Sequence, residues 1–184
     1  MQSNIEFQTD RLLLRALKRV DIATLRDAIS QSADTIAPWL DWCHEGFDDM
    51  DADAWISRSH QGWLTGSSYE LAAFELESGE FVGCVYISSI DTVANMANLG
   101  YWTATQYQGQ GYALEAAEMA ATLAFSHLLL TRLELVMDPE NASSIRIAEK
   151  LRATYECRAR NRYMYDGEAK EGLVYSLIPE DIFS

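Results

Sequence analysis

The sequence predicts a mixed α/β fold on three observations. Between Tyr69 and Thr103, three short β-like runs follow one another with tight turns, the arrangement of an antiparallel meander. From Ala113 the apolar spacing changes to the period of a helix. Beyond it, strand and helix patterns alternate with little linker, which favours parallel pairing through a crossover. No internal repeat, low-complexity tract or flexible linker breaks the 184 residues, so residues 1–184 are expected to form a single domain.

In chain order, Asp10-Arg11-Leu12-Leu13-Leu14-Arg15 reads as an opening strand, and Asp21 as the cap of a helix over Ile22 to Ile29. Ile36 to His44 then concentrates two of the five tryptophans, and Asp48 to Asp53 adds four aspartates. An aromatic and acidic loop of this kind lines a pocket, which makes Trp39, Asp41 and Trp42 candidate substrate-binding residues. The aspartates alternatively supply charge at the start of a helix over Trp55 to Leu64. Strands follow at Tyr69 to Glu77 and Phe81 to Ser88, joined through Ser78-Gly79-Glu80, and then at Ala97 to Thr103. A long helix runs from Ala113 to about Leu130, with Leu114, Ala117, Ala121, Ala124, Phe125 and Leu128 on one face. Arg132 to Met137 is a strand, and Asp138-Pro139-Glu140-Asn141 stops it and starts a helix over Ala142 to Leu151. Tyr155 to Tyr165 and Leu173 to Ile178 complete the sheet around Asp166-Gly167-Glu168.

Bulk properties exclude several classes. With 14 basic and 28 acidic residues the formal charge is −14, which argues against nucleic acid or an anionic membrane as partner and favours a cationic substrate such as an amine. No apolar run approaches the ~20 residues of a membrane helix, and Met1 to Asp10 lacks the pattern of a signal peptide, so a cytoplasmic location is expected. Cys43, Cys84 and Cys157 are widely spaced, and the last two read as packed thiols. No metal site is expected.

The stretch Gln106-Tyr107-Gln108-Gly109-Gln110-Gly111-Tyr112-Ala113 joins the third meander strand to the long helix. Two glycines let the backbone turn and present N–H groups, and the helix start adds partial positive charge, so the stretch suits a phosphate. A P-loop needs Lys and then Ser or Thr after its last glycine, where Tyr112 and Ala113 stand. A dinucleotide fingerprint from Gly109 needs glycine or alanine where Leu114 stands.

Gln106, Gly109 and Gly111 match the acetyl-coenzyme A loop of the GNAT superfamily of N-acetyltransferases, which this chain resembles nearly end to end. The resemblance includes Gly100-Tyr101-Trp102 before the loop, Val136 to Asn141 with Ser144, and Glu149-Lys150-Leu151. Thr9 to Arg15, Pro38-Trp39-Leu40 and Tyr175-Ser176-Leu177 are similar to the branch that acetylates the N termini of ribosomal proteins at serine or alanine.

The resemblance implies a central, mostly antiparallel mixed sheet of about seven strands with about four helices. It also implies acetyl-CoA as cosubstrate, direct attack by an uncharged amine, and a homodimer. Trp102 and Thr103 would pair with the pantetheine arm, N–H groups of Gln108, Gly109, Gln110, Gly111, Tyr112 and Ala113 would hold the pyrophosphate, and Asn141 would bond the arm. Many relatives use a tyrosine at the position of Ala148 to protonate the departing thiolate. In the ribosomal branch a serine takes that role, at the position of Ser144. Glu70, Glu75, Asp91, His44 and His60 are candidate bases by residue type only. Arg152 stands where relatives have glycine, which predicts a helix end without its left-handed cap. The implied acceptor is a ribosomal protein N terminus. The alternatives are a small cation such as a polyamine or aminoglycoside, and a CoA-binding inactive homologue.

Overall fold

The computed structural model describes residues 5–183 of the chain. Among them, eight strands form one sheet in the order β1-β2-β3-β4-β5-β6-β8-β7. They are β1 (Glu6–Gln8), β2 (Leu12–Arg15), β3 (Tyr69–Glu75), β4 (Phe81–Asp91), β5 (Met96–Thr103), β6 (Arg132–Met137), β7 (Thr154–Tyr165) and β8 (Glu168–Leu177). Every neighbouring pair is antiparallel except β5 and β6, which the crossover helix α3 (Tyr112–Ser126) makes parallel. The other helices are α1 (Ile22–Ile36), α2 (Asp49–Thr65), α4 (Ala142–Lys150) and the short α5 (Pro179–Phe183). The count exceeds the expected seven strands because Glu6–Gln8 adds an edge strand too short to carry an alternation signal.

The alternation of side chains along β5 sorts the helices onto two faces. Trp102 meets Trp42 between α1 and α2, at 5.8 Å between ring centroids. Tyr101, one residue earlier, turns the other way and donates its hydroxyl to the Ser144 carbonyl of α4 at 3.2 Å. The helix α3 buries Ala116, Ala117, Ala120, Ala121 and Ala124, and this line of methyl groups lets its backbone lie close to the sheet.

Several local readings change. Helix α1 continues to Ile36 because Ser32 and Ile36 keep a buried face through an otherwise polar segment. Asp21 does not cap that helix with its side chain. Its carboxylate accepts from the Lys18 N–H at 2.7 Å and from both Arg15 terminal nitrogens at 2.7 and 2.9 Å. The aspartate cluster is helix-start charge: Asp48 accepts from the N–H groups of Met50 and Asp51, and Asp51 returns a bond to Asp48 N–H. This starts α2 at Asp49, well before Trp55. Helix α3 ends at Ser126, and Arg152 itself takes the left-handed backbone, with φ +63°, at the end of α4. Cys84 is buried as expected, whereas Cys157 is exposed, because β7 is an edge strand with most of both faces in solvent.

Candidate active site

Strands β5 and β6 pair only at Met96–Arg132, Ala97–Leu133 and Asn98–Glu134. Beyond that register β5 runs to Thr103 and β6 to Met137 without pairing each other. The parted strands open a cleft of about 720 Å³ at their carboxyl ends. An open sheet presents its ligand crevice at such a place, where strand order switches across a crossover.

At one end of the cleft stands the start of α3. A short 3₁₀ turn, Thr105–Tyr107, leads into Gly109 (φ +74°) and Gly111 (φ +87°), both in the left-handed region. Gly111 is the helix N-cap and provides no side chain to satisfy the first turn. The Gln108 N–H donates to Thr105 at 3.2 Å, so the free series begins one residue later than expected. From Gly109 to Ala113 the backbone N–H groups have no acceptor among the described residues. Five unsatisfied donors at the positive end of a fifteen-residue helix suit an anion.

Long-range contacts brace this turn. Glu115 accepts from Thr9 at 2.5 Å and from the Arg11 N–H at 2.9 Å, and it pairs with the Arg11 guanidinium at 2.7 Å. Burial pushes the Glu115 carboxyl up, but these hydrogen bonds and the nearby charge outweigh it and leave the pKa lowered. Arg11 also donates to the Gln110 carbonyl and lies 4.4 Å over the Tyr112 ring. The Gln108 side chain joins the loop to the Thr103 carbonyl and to Thr35.

The β6–α4 side supplies Asn141 and Ser144. Asn141 caps α4, its Oδ1 accepting from the Ser144 N–H at 3.0 Å, while its side-chain NH₂ donates to no group among the described residues. The Ser144 hydroxyl likewise has no protein partner there, and it lines the cleft. The last turns of α4 bring Arg146 and Lys150 to the same wall. In a chain of formal charge −14, these two cations are placed to meet an anionic group at the cleft wall.

Just past the end of α1, Trp39, Asp41 and Trp42 form another part of the cleft wall. Trp42 is wedged between Trp55 and Trp102, at 4.4 and 5.8 Å. The β7–β8 hairpin adds to this wall, with the Tyr165 hydroxyl donating to Ala37 at 2.7 Å and Tyr163 to Asp138 at 2.8 Å.

The expected site residues converge. Trp39, Asp41, Trp42, Trp102, Thr103, Gln108, Gly109, Gly111, Tyr112, Ala113, Asn141 and Ser144 all line the cleft, and only Gln110 of the expected set turns out of it. The Gln110 side chain donates back to Gln106. None of the five candidate bases lines the cleft. Glu75 accepts from Tyr112 and Ser78, Asp91 holds the β4–β5 turn, His44 is exposed beside Asp51, and His60 meets the Leu17 carbonyl. Glu70 lies behind the wall, where burial pushes its pKa up to about 7 while a 2.5 Å hydrogen bond from Trp55 opposes the shift.

Sequence reasoning missed Tyr86, Asn98, Arg146, Lys150 and Tyr163. They reach the cleft through strand register and through the distant hairpin, and no local spacing marks them. Among the described residues no group of three or more His, Cys, Asp or Glu is placed to hold a metal ion, and no helix is long and apolar enough to cross a membrane.

A splayed parallel pair with a bare helix start at the opening defines an acyltransferase of the GNAT type, and residues 11–154 match the family model described as the acetyltransferase (GNAT) domain. The chain belongs to that family. It is similar to a Vibrio cholerae protein of known structure, provisionally described as a ribosomal-protein-serine acetyltransferase, at 38% identity and a TM-score of 0.88 over 97% of this chain and all of that one. It is similar to YdaF of Bacillus subtilis, provisionally named a ribosomal N-acetyltransferase, at 24% identity over 94% of this chain and 93% of that protein. The spermidine N(1)-acetyltransferase of Escherichia coli matches at 26% identity over 87% of this chain and 82% of that protein.

Proposed function

We propose that the protein transfers acetyl from acetyl-CoA to the N-terminal α-amine of a protein, with a ribosomal protein as the acceptor, by direct attack in a ternary complex. The observation that carries this reading is a single cleft that holds both a run of free N–H groups at the start of α3 and an aromatic wall with Trp39, Trp42 and Trp102. The two substrates would meet where β5 and β6 part.

The residues present fit the coenzyme. N–H groups from Gly109 to Ala113 would hold its pyrophosphate, and substitution of Gly109 or Gly111 would force an L side chain into positive φ. The unpaired edge of β5 through Trp102 and Thr103, with the free amide of Asn141, would bond the pantetheine arm. When bound, acetyl-CoA supplies an activated acyl group on a thiol leaving group. The Ser144 hydroxyl would then donate a hydrogen bond to the departing sulfur, which stabilises negative charge as it develops.

The aromatic part of the cleft favours a peptide over a polyamine. Of its lining carboxylates, Asp138 already accepts from Tyr163 and from the Glu140 N–H, which leaves Asp41 as the unengaged one among the described residues. A polyamine presents several cations to this single carboxylate, whereas a peptide N terminus presents one amine followed by neutral backbone. Asp41 beside Trp39 and Trp42 is also the observation that favours the second reading, a small cationic amine, and the similarity to the spermidine enzyme agrees with it.

Thiol release with acetyl-CoA and a panel of serine- and alanine-initiated peptides, spermidine and an aminoglycoside tests the proposal. Mass spectrometry would locate the acetyl on the peptide α-amine. Turnover restricted to spermidine or the aminoglycoside would overturn the ribosomal-protein reading.

A further inference from the structure

Gly100 lies in the middle of β5 and has no positive φ to require glycine. Its requirement is space. A Cβ at this position would fall 2.1 Å from Cε2, 2.5 Å from Cζ and 2.7 Å from Oη of Tyr86, its partner across the β4–β5 ladder. The Tyr86 ring therefore lies across β5 at Gly100, just beyond the last β5–β6 pair, Asn98–Glu134, where the cleft begins. Its hydroxyl has no hydrogen-bond partner among the described residues, is not sealed from solvent, and belongs to a side chain that lines the cleft. The adjoining cross-strand pair, Ser88 and Asn98, lines the cleft too, and Trp42 and Trp102 stand on the same face.

We propose that Tyr86 is an acceptor-binding residue, its hydroxyl taking a hydrogen bond from the attacking amine, and that Gly100 is glycine so that the ring can reach this place. The proposal rests on direct transfer within the cleft described above. A neutral primary amine has two N–H bonds and one lone pair. Fixing one N–H on a phenol oxygen restricts where the lone pair points, and the residue accelerates attack by orientation. Burial and then the charge of Glu70 raise the Tyr86 pKa, so the group stays a neutral phenol at physiological pH.

The test compares wild type, Tyr86→Phe and Gly100→Ala with two probes, a serine-initiated peptide and spermidine. It measures acceptor kcat/KM, CoA affinity and probe binding to the CoA-loaded protein by calorimetry, and melting temperature. Tyr86→Phe is expected to lower acceptor kcat/KM and probe affinity about tenfold, as for loss of one useful hydrogen bond. Its CoA affinity and melting temperature should be unchanged, because the hydroxyl bonds nothing in the protein. Gly100→Ala keeps the hydroxyl but displaces the ring, and is expected to give an acceptor defect at least as large. Acceptor kcat/KM and probe affinity within twofold of wild type in Tyr86→Phe would overturn the proposal, as would a fall in CoA affinity in step with activity. Acetylation of spermidine alone would overturn the ribosomal-protein reading, while the Tyr86→Phe ratio with spermidine would still decide the role of Tyr86.

Discussion

Replacing Glu70 with glutamine should stabilise the fold, increasingly as pH rises from 4.5 to about 7. Glu70 lies on β3 against α2. The groups that face it are the Trp55 indole, the Ser59 hydroxyl and the more distant Arg58 from α2, with Cys84 and Tyr86 from β4. No cation touches it, and burial raises its pKa from the ordinary 4.5 to about 7. A raised carboxyl binds more protons in the folded than in the unfolded state between these values, so stability falls as pH rises through that window. About 2.5 pKa units at 1.36 kcal/mol each corresponds to roughly 3 kcal/mol, a ceiling because the side chain keeps partial exposure. Glutamine retains the oxygen that accepts from Trp55 and carries no charge. The variant should match wild type near pH 4.5 and exceed it by up to about 3 kcal/mol at pH 8, a large share of the ~5–15 kcal/mol of a typical domain. Urea unfolding of both proteins at half-unit steps from pH 4.5 to 8.5 measures the difference. A constant difference across pH, or a less stable glutamine variant at pH 8, would refute the reasoning.

Asp21→Asn leaves the half-buried Arg15 guanidinium without its charge partner and should cost up to about 3 kcal/mol in denaturant unfolding at pH 7. Burial raises the Asp21 pKa, but bonds from Arg15 and Lys18 dominate and lower it, so in wild type this stability is present above the ordinary aspartate pKa and is lost as pH falls below about 4. Asn141→Ala removes the α4 cap, for a loss of about 1 kcal/mol, and should also weaken CoA binding by calorimetry more than that loss of folding predicts. Ser144→Ala should lower kcat about tenfold with CoA affinity less affected, because the proposed hydrogen bond strengthens as charge develops on the sulfur. Equal losses in kcat and in CoA affinity would point to a packing role.

The meander, the crossover helix and the glycine turn are legible in the sequence because each depends on local chemistry. Alternation, helical period and positive φ all act within a few residues. The second half of α1 is not, since Gln31 to Thr35 is polar and its place is decided by Ser32, whose buried hydroxyl accepts from the distant Thr105 N–H. The same holds for the aromatic part of the cleft. Tyr86 comes there through its register with Gly100, and Tyr165 through a bond to Ala37, contacts that no window of neighbouring residues contains. The cradle and Asn141 read well because helix starts carry their own signature. The acidic run Asp48 to Asp53 misleads toward the pocket, although its spacing also fits the capping box that it forms.

The clamp of Thr9 and Arg11 on Glu115 spans 106 and 104 positions of chain. Closing so long a loop is entropically slow, and the bonds reward it only once the sheet between them is aligned. The turn with its free N–H groups is therefore tied to the β1–β2 connection, and a substitution at Thr9 or Arg11 would loosen it from more than a hundred positions away in the chain.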